Sequence, residues 1–186
     1  MRVVADANVL VSAALARSPQ APSVLTLDAA LNGRLELIIS PQLLREIAMV
    51  LARPRLRRYL SSEEALRFIS DLAAQSTVMA DPPGPHAAVC RDPDDDYLVA
   101  LATISGADAI VTGDLDLLAV DPKQLSFEVI TPRQSLSGSA DPGTSLVFFR
   151  VQTDPAVRRR KPGWDACQLR KFVRRRESAA RPLRVH

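Results

Sequence analysis

Carboxylates at the edges of apolar runs are the groups in this 186-residue chain best suited to chemistry. Asp6 closes the run Val3-Val4-Ala5, and Asp114 closes Ile110-Val111-Thr112-Gly113. Asp94, Asp95 and Asp96 open an apolar helical stretch, and Glu46 sits within another. If the two runs are neighbouring parallel strands, these acids converge at one end of a sheet, where open α/β folds bind ligands. Carboxylates gathered without basic partners repel one another, and a hard cation with oxygen ligands relieves that repulsion. A magnesium or manganese site follows. Such ions activate a bound water and neutralise negative charge on a reacting group.

The elements that must position these acids alternate between strand and helix. Residues 2–6 read as a short strand, with Asn8 as a cap for a helix over 9–15. The segment Ser18-Pro19-Gln20-Ala21-Pro22 breaks the chain. From Ser23, the residues Val24, Leu27, Ala30 and Leu31 mark one helical face that Gly33 ends. Residues 35–39 form a second strand, and Ser40-Pro41 makes an N-cap and first position for a helix over 41–52. Leu43, Leu44, Ile47 and Leu51 form its apolar stripe, with Glu46 at the border, where a carboxylate reaches a cleft. Ser61-Ser62-Glu63-Glu64 opens a helix to about residue 74, and residues 78–79 suggest an edge strand. Asp94, Asp95 and Asp96 supply the cap and negative first turn of a helix that runs to Ser105 and stops at Gly106. A strand over 109–112, a short helix over 115–119 and a last strand over 127–130 follow. The alternation predicts an α/β fold, with a mostly parallel sheet and helices on both faces.

Size and composition suit one soluble domain: 47% of residues are apolar, and no apolar run reaches the roughly 18 residues a membrane helix needs. The N-terminus has no signal-peptide pattern, so the cytoplasm is the expected compartment. Cys90 and Cys167 lie far apart and only two His are present, which argues against a disulfide framework or a zinc cluster. The net charge of +3 conceals an asymmetry. Residues 1–149 hold 12 Lys/Arg against 18 Asp/Glu, and residues 150–186 hold 12 against 3. The expected organisation is a domain over 1–134, a Ser/Gly/Pro-rich linker over 135–149 and a basic tail over 150–186. The tail is read as disordered or as one helix carrying Leu169, Phe172 and Val173. It would serve as an RNA-binding arm or have no selected role.

Three blocks resemble the PIN-domain ribonucleases. Val4-Ala5-Asp6-Ala7-Asn8-Val9-Leu10 looks like the family's opening signature. Arg91-Asp92-Pro93-Asp94-Asp95-Asp96-Tyr97-Leu98-Val99-Ala100 and Ile110-Val111-Thr112-Gly113-Asp114-Leu115-Asp116-Leu117-Leu118 look like its later acidic blocks. Ser40-Pro41-Gln42-Leu43-Leu44-Arg45-Glu46-Ile47, with Arg53-Pro54, resembles the branch that contains toxins of bacterial toxin–antitoxin pairs, the VapC-like proteins. Each block is weak alone, but together they stand in the family's order over residues 1–134.

The resemblance implies a three-layer PIN-like fold and an Mg²⁺- or Mn²⁺-dependent endoribonuclease. Its catalytic carboxylates map to Asp6, Glu46, Asp95 or Asp96, and Asp114. The implied metal ligands are Asp6, Asp96, Asp114 and the nearby Asp116. Three consecutive Asp leave the register open by one residue, with Asp96 preferred over Asp95. Asn8 and Thr112 are expected to fix the carboxylate geometry from behind. Implied partners are an RNA substrate, a small antitoxin that occludes the cleft, and a second copy in a homodimer.

Each acid also has an ordinary explanation. Asp94, Asp95 and Asp96 suit a helix cap, and Asp114 suits the start of a short helix. Glu46 suits a solvated helix surface paired with a neighbouring Arg. Asp6 is harder to place so, because an acid ending a buried strand needs a partner. Arg53, Arg55, Arg57 and Arg58 are candidate RNA-phosphate contacts, and equally a solvated helix end. Tyr59 and Tyr97 suit base stacking or, more commonly, packing. Two rival functions carry distinct signatures. A non-catalytic PIN-like module binding RNA or protein would lack a carboxylate, and a phosphatase with an Asp nucleophile would commonly have a second Asp where Asn8 stands.

Overall fold

The computed structural model describes residues 1–136. Its centre is an apolar strand, β1 (Arg2–Ala5), whose residues from Val3 to Ala5 are buried, as expected of a strand covered on both faces. Around it lie β2 (Glu36–Ile39), β3 (Thr77–Val78), β4 (Ala109–Val111) and β5 (Glu128–Ile130), in the order β3-β2-β1-β4-β5. Every pairing is parallel. The fold is α/β, and the edge strand expected near residue 78 is present.

Six helices connect the strands: α1 (Ala7–Leu15), α2 (Pro22–Leu31), α3 (Pro41–Leu51), α4 (Ser62–Gln75), α5 (Asp96–Ser105) and α6 (Leu115–Leu118). The chain steps outward from β1 through β2 to β3, then returns past β1 to β4 and β5. Crossovers between parallel strands are right-handed, so reversing direction moves the helices to the opposite face. Accordingly α1 packs on α2 and α3, and α3 on α4, while α5 lies against β1 and β4. Val4, Ile38, Ile39 and Ile110 of the sheet meet Leu43, Ile47, Leu98 and Leu101 of the helices in one core. Burying each large side chain stabilises the fold by about 1.5–3 kcal/mol.

Caps decide where the helices start, and one differs from expectation. Asp6, not Asn8, caps α1: its Oδ1 accepts the Asn8 N–H at 2.9 Å. β1 stops at Ala5, so Ala7 is already helical and Asn8 lies in the first turn. Ser40 caps α3 by accepting the Leu43 N–H at 3.3 Å, and Ser61 and Glu64 form a reciprocal capping box on α4. A 3₁₀ turn over Pro93–Asp95 precedes α5, capped by Asp92. Gly106 ends α5 at φ 60, a left-handed conformation that glycine adopts without a Cβ penalty.

Most of the expected linker over 135–149 and all of the basic tail over 150–186 lie outside the described residues. Among the described residues no helix is long and apolar enough to cross a membrane.

Candidate active site

The strand order reverses between β1 and β4, and it is beyond the carboxyl ends of the strands at such a switch point that open α/β sheets bind ligands. Ala5 pairs with Val111, so the next residues, Asp6 and Thr112, leave the sheet side by side. Thr112 is fully buried and holds the two strand-end acids together. Its hydroxyl donates to Asp6 Oδ2 at 2.8 Å and accepts the Asp114 N–H at 2.9 Å. Asp114 Oδ1 in turn accepts the Asp116 N–H at 2.8 Å and caps α6. The ordinary capping role and a place beyond the strand ends therefore coincide for both acids.

Two more acids arrive from helices. Glu46 lies in the second turn of α3, just beyond the end of β2, and the Tyr97 hydroxyl donates to its Oε2 at 2.5 Å. Tyr97 is buried on α5, and burial together with Glu46 pushes its phenol far above the usual range. It is thus a fixed donor on Glu46 and is closed to base stacking. Sequence patterning had placed it only as a packing or stacking residue. The available signal was a Tyr in an otherwise apolar helix, whose hydroxyl needs a partner when buried.

Asp95, half-buried ahead of α5, completes the group. Its carboxyl is pushed up to about 6 by burial and then by the charges of Asp6, Asp114, Asp92 and Glu46. Asp6 is raised as well, chiefly by burial and further by Asp114, against the pull of hydrogen bonds from Asn8 and Thr112. Four acids from four separate segments thus act on one another. Asp92, at the rim, was not singled out by spacing because it reads as a turn cap, a role it also performs for the Asp94 N–H at 3.0 Å.

The next acid in the run turns elsewhere. Asp96 is buried, and its Oδ1 accepts the N–H groups of Val89 at 3.0 Å and Cys90 at 2.8 Å. Burial works against its charge, but these bonds outweigh it and hold the carboxyl below the usual range. Asp96 thus pins the loop before α5, while Asp95 is the acid of the run whose carboxyl is raised by the charges of Asp6, Asp114 and Glu46. The physical reason is the 3₁₀ turn, which sets consecutive residues on different faces at the helix start. Asp94 is exposed. Asp116 is half-exposed on α6 and forms an ion pair with Arg91 at 3.5 Å.

Among the described residues no three His, Cys, Asp or Glu side chains stand close enough to hold a metal ion as they are. The donor set nevertheless fits a hard divalent cation. It consists of carboxylates, two of them raised chiefly by burial and further by acidic neighbours, and Mg²⁺ commonly keeps several waters and takes only one or two direct carboxylates. Asp6 and Asp114 at the strand ends, with Asp95 and Glu46 facing them, are the residues suited to that role.

The basic run follows α3. Arg53, Arg55, Arg57 and Arg58 are exposed and have no carboxylate partner among the described residues. The Arg58 guanidinium lies 4.7 Å from the Tyr59 ring centre and that of Arg17 lies 5.4 Å away, so Tyr59 supports cations. Glu46 does not pair with a neighbouring Arg; Arg45 instead pairs with Asp81 at 3.0 Å. On the other side of Asp114, a groove of about 680 Å³ runs between α1, α2 and the turn after β5.

The comparisons agree with this architecture. The chain is 35% identical over 121 residues to an uncharacterized protein of Methanocaldococcus jannaschii, an alignment covering 64% of this chain and 75% of the relative. The family model described as PIN domain matches residues 2–116, a span that takes in β1 through the start of α6 and all four acids. This chain therefore belongs to the PIN-domain family, whose fold is of the nuclease type.

Proposed function

We propose that the protein is a metal-dependent endoribonuclease that hydrolyses RNA phosphodiester bonds at Asp6, Glu46, Asp95 and Asp114. The observation that supports this reading is that Asp95 is raised to about 6 by burial and then by the charges of Asp6, Asp114, Asp92 and Glu46, with Asp6 and Asp114 following the strands that flank the switch point. Family membership supports hydrolase chemistry, and the carboxylate set supports Mg²⁺ or Mn²⁺ rather than a softer metal. Asp6 and Asp114 would hold the ion, with Asp95 and Glu46 facing it. When bound, it supplies an activated water and neutralises charge on the phosphoryl oxygens.

The chain's own groups do the rest. Thr112 fixes the angle between Asp6 and Asp114, and Asn8 supports Asp6 from the first turn of α1. Tyr97 donates to Oε2 of Glu46 and so holds that carboxylate in place. The exposed arginines at 53, 55, 57 and 58 would receive the RNA backbone, since an acidic centre needs positive ground beside it to admit a polyanion.

The resemblance of residues 40–54 to the toxin branch supports a toxin of a toxin–antitoxin pair, working in the cytoplasm and held inactive by a small antitoxin over the cleft. Exposed Met49 and Leu66 on α3 and α4 favour a homodimer through those helices. A non-catalytic PIN-like module that binds RNA or protein is the second reading, and the absence of three closely grouped acids among the described residues favours it. Incubating the purified full chain with structured and single-stranded RNAs in Mg²⁺, Mn²⁺ or EDTA separates the two. Cutting that needs the metal supports the nuclease; metal and RNA binding without cutting across a broad panel supports the binding module.

A further inference from the structure

The groove beyond Asp114 is built differently from the acidic group. Its volume of about 680 Å³ lies within the range of small-molecule sites, which run from about 300 to 1,000 Å³. Asp114 is one of its lining residues, so the groove adjoins the acidic group. Its other polar lining is largely neutral: the Asn8 amide, the Ser12 and Ser23 hydroxyls and Thr131, with Arg133 as the one cation. The Thr131 hydroxyl is already bonded to Gln134 at 2.8 Å. Those of Ser12 and Ser23 have no partner among the described residues. Asn8 and Ser12 stand one helical turn apart on α1 and therefore share a face.

The groove is also held in shape. Buried Thr26 of α2 donates to the Pro22 carbonyl at 2.9 Å and meets the Pro132 carbonyl at 3.2 Å and Ser135 Oγ at 3.0 Å. This ties the first turn of α2 to the turn after β5, and both are walls of the groove. One cation balanced by one carboxylate does not suit a run of phosphates, each of which calls for positive charge. Hydroxyl and amide groups that both donate and accept suit a ribose and the edge of a base.

We infer that this groove seats one single-stranded ribonucleotide next to the phosphate to be cut, with the Ser12 and Ser23 hydroxyls bonding its sugar and base. The inference rests on the nuclease reading for the position of that phosphate, and it names the groove as the place where RNA is told from DNA. Ser12 is exposed, so replacing it leaves the core intact.

The test uses the full chain carrying Asp6→Asn to prevent cutting, a labelled six-nucleotide single-stranded RNA, and the DNA of the same sequence. Anisotropy reads binding, thermal melts confirm folding, and wild-type kinetics are measured in parallel. Ser12→Leu and Ser23→Leu should each weaken RNA binding about tenfold, and Ser12→Ala less, in line with loss of one or two hydrogen bonds plus obstruction. In the cutting background they should raise KM with kcat little changed and leave the Mg²⁺-induced melting shift in place. The DNA should bind more weakly and respond little to Ser12→Ala. Unchanged RNA binding in the folded Leu variants, or DNA binding as tight and as sensitive as RNA, would overturn the inference. RNA held through Ser12 and Ser23 but cut with no metal would keep the groove and remove the nuclease. Metal-dependent cutting with unaltered KM in both Leu variants would do the reverse.

Discussion

Replacing Asp95 by Asn should stabilise the metal-free protein. The Asp95 carboxyl moves from an ordinary value of 3.8 to about 6 on folding, through burial and the charges of Asp6, Asp114, Asp92 and Glu46. A group raised in the folded state binds its proton more tightly there, so stability falls as pH climbs from about 4 to 6 and stays reduced above that. Two pKa units correspond to about 3 kcal/mol at most. Asp95 is open to water on one side, and screening reduces the figure to about 1 kcal/mol. For a domain of this size that is a melting shift of about 3–5 °C. In EDTA at pH 7.5 and low salt, Asp95→Asn should therefore melt above wild type, and the gap should close near pH 4. Exposed Asp94→Asn is the control and should not move. Added Mg²⁺ should raise the wild type and raise Asp95→Asn less, because a ligand that binds only the folded state stabilises it. An Asp95→Asn protein no more stable than the control in EDTA, or a gap independent of pH, would refute the placement of Asp95 among the acids.

Other consequences concern the groups around that centre. Thr112→Val keeps the shape but leaves Asp6 Oδ2 and the Asp114 N–H without the hydroxyl; urea unfolding should show a loss of about 1–3 kcal/mol. The same variant should bind Mn²⁺ about 10- to 100-fold more weakly by calorimetry. Asp96→Asn should behave oppositely to Asp95→Asn. The Asp96 carboxyl is depressed by the Val89 and Cys90 N–H groups, so its contribution, about 1 kcal/mol, is present above pH 4 and lost as pH falls through its folded value. Denaturation at pH 7 and pH 2.5 checks this, with the difference from wild type smaller at pH 2.5. Removing Arg55 and Arg57 together should weaken single-stranded RNA binding and flatten the plot of log affinity against log salt by about 1.4. An unaltered slope would show that the basic run does not touch phosphates.

Much of the fold was legible because its determinants are local. The apolar runs ending at Ala5, Ile39 and Val111 could only be covered strands, and Ser40-Pro41, Ser61-Glu64 and Gly106 punctuate the helices as their chemistry requires. The placement of Asp6 and Asp114 just past buried strands was legible for the same reason, since the apolar runs before them are local signals. The difference in surroundings between Asp95 and Asp96 was not. It depends on a 3₁₀ turn and on two backbone N–H groups at Val89 and Cys90, which no periodicity in the chain announces. The same holds for Tyr97 on Glu46, a contact between residues 51 positions apart. The cap of α1 was misplaced by two residues because Asn8 is an equally good capping type, and only the end of β1 decides between it and Asp6.

The most direct test of the proposed centre is cleavage of one RNA by wild type, Asp6→Asn, Glu46→Gln, Asp95→Asn and Asp114→Asn, each verified as folded, in Mn²⁺ and in EDTA, with Asp94→Asn alongside. Cutting by wild type and Asp94→Asn in Mn²⁺, abolished by EDTA and reduced at least about 100-fold in the other four, is the expected result. Cutting that survives EDTA, or survives loss of Asp6 and Asp114, would contradict a metal-dependent carboxylate centre at the β1–β4 switch point.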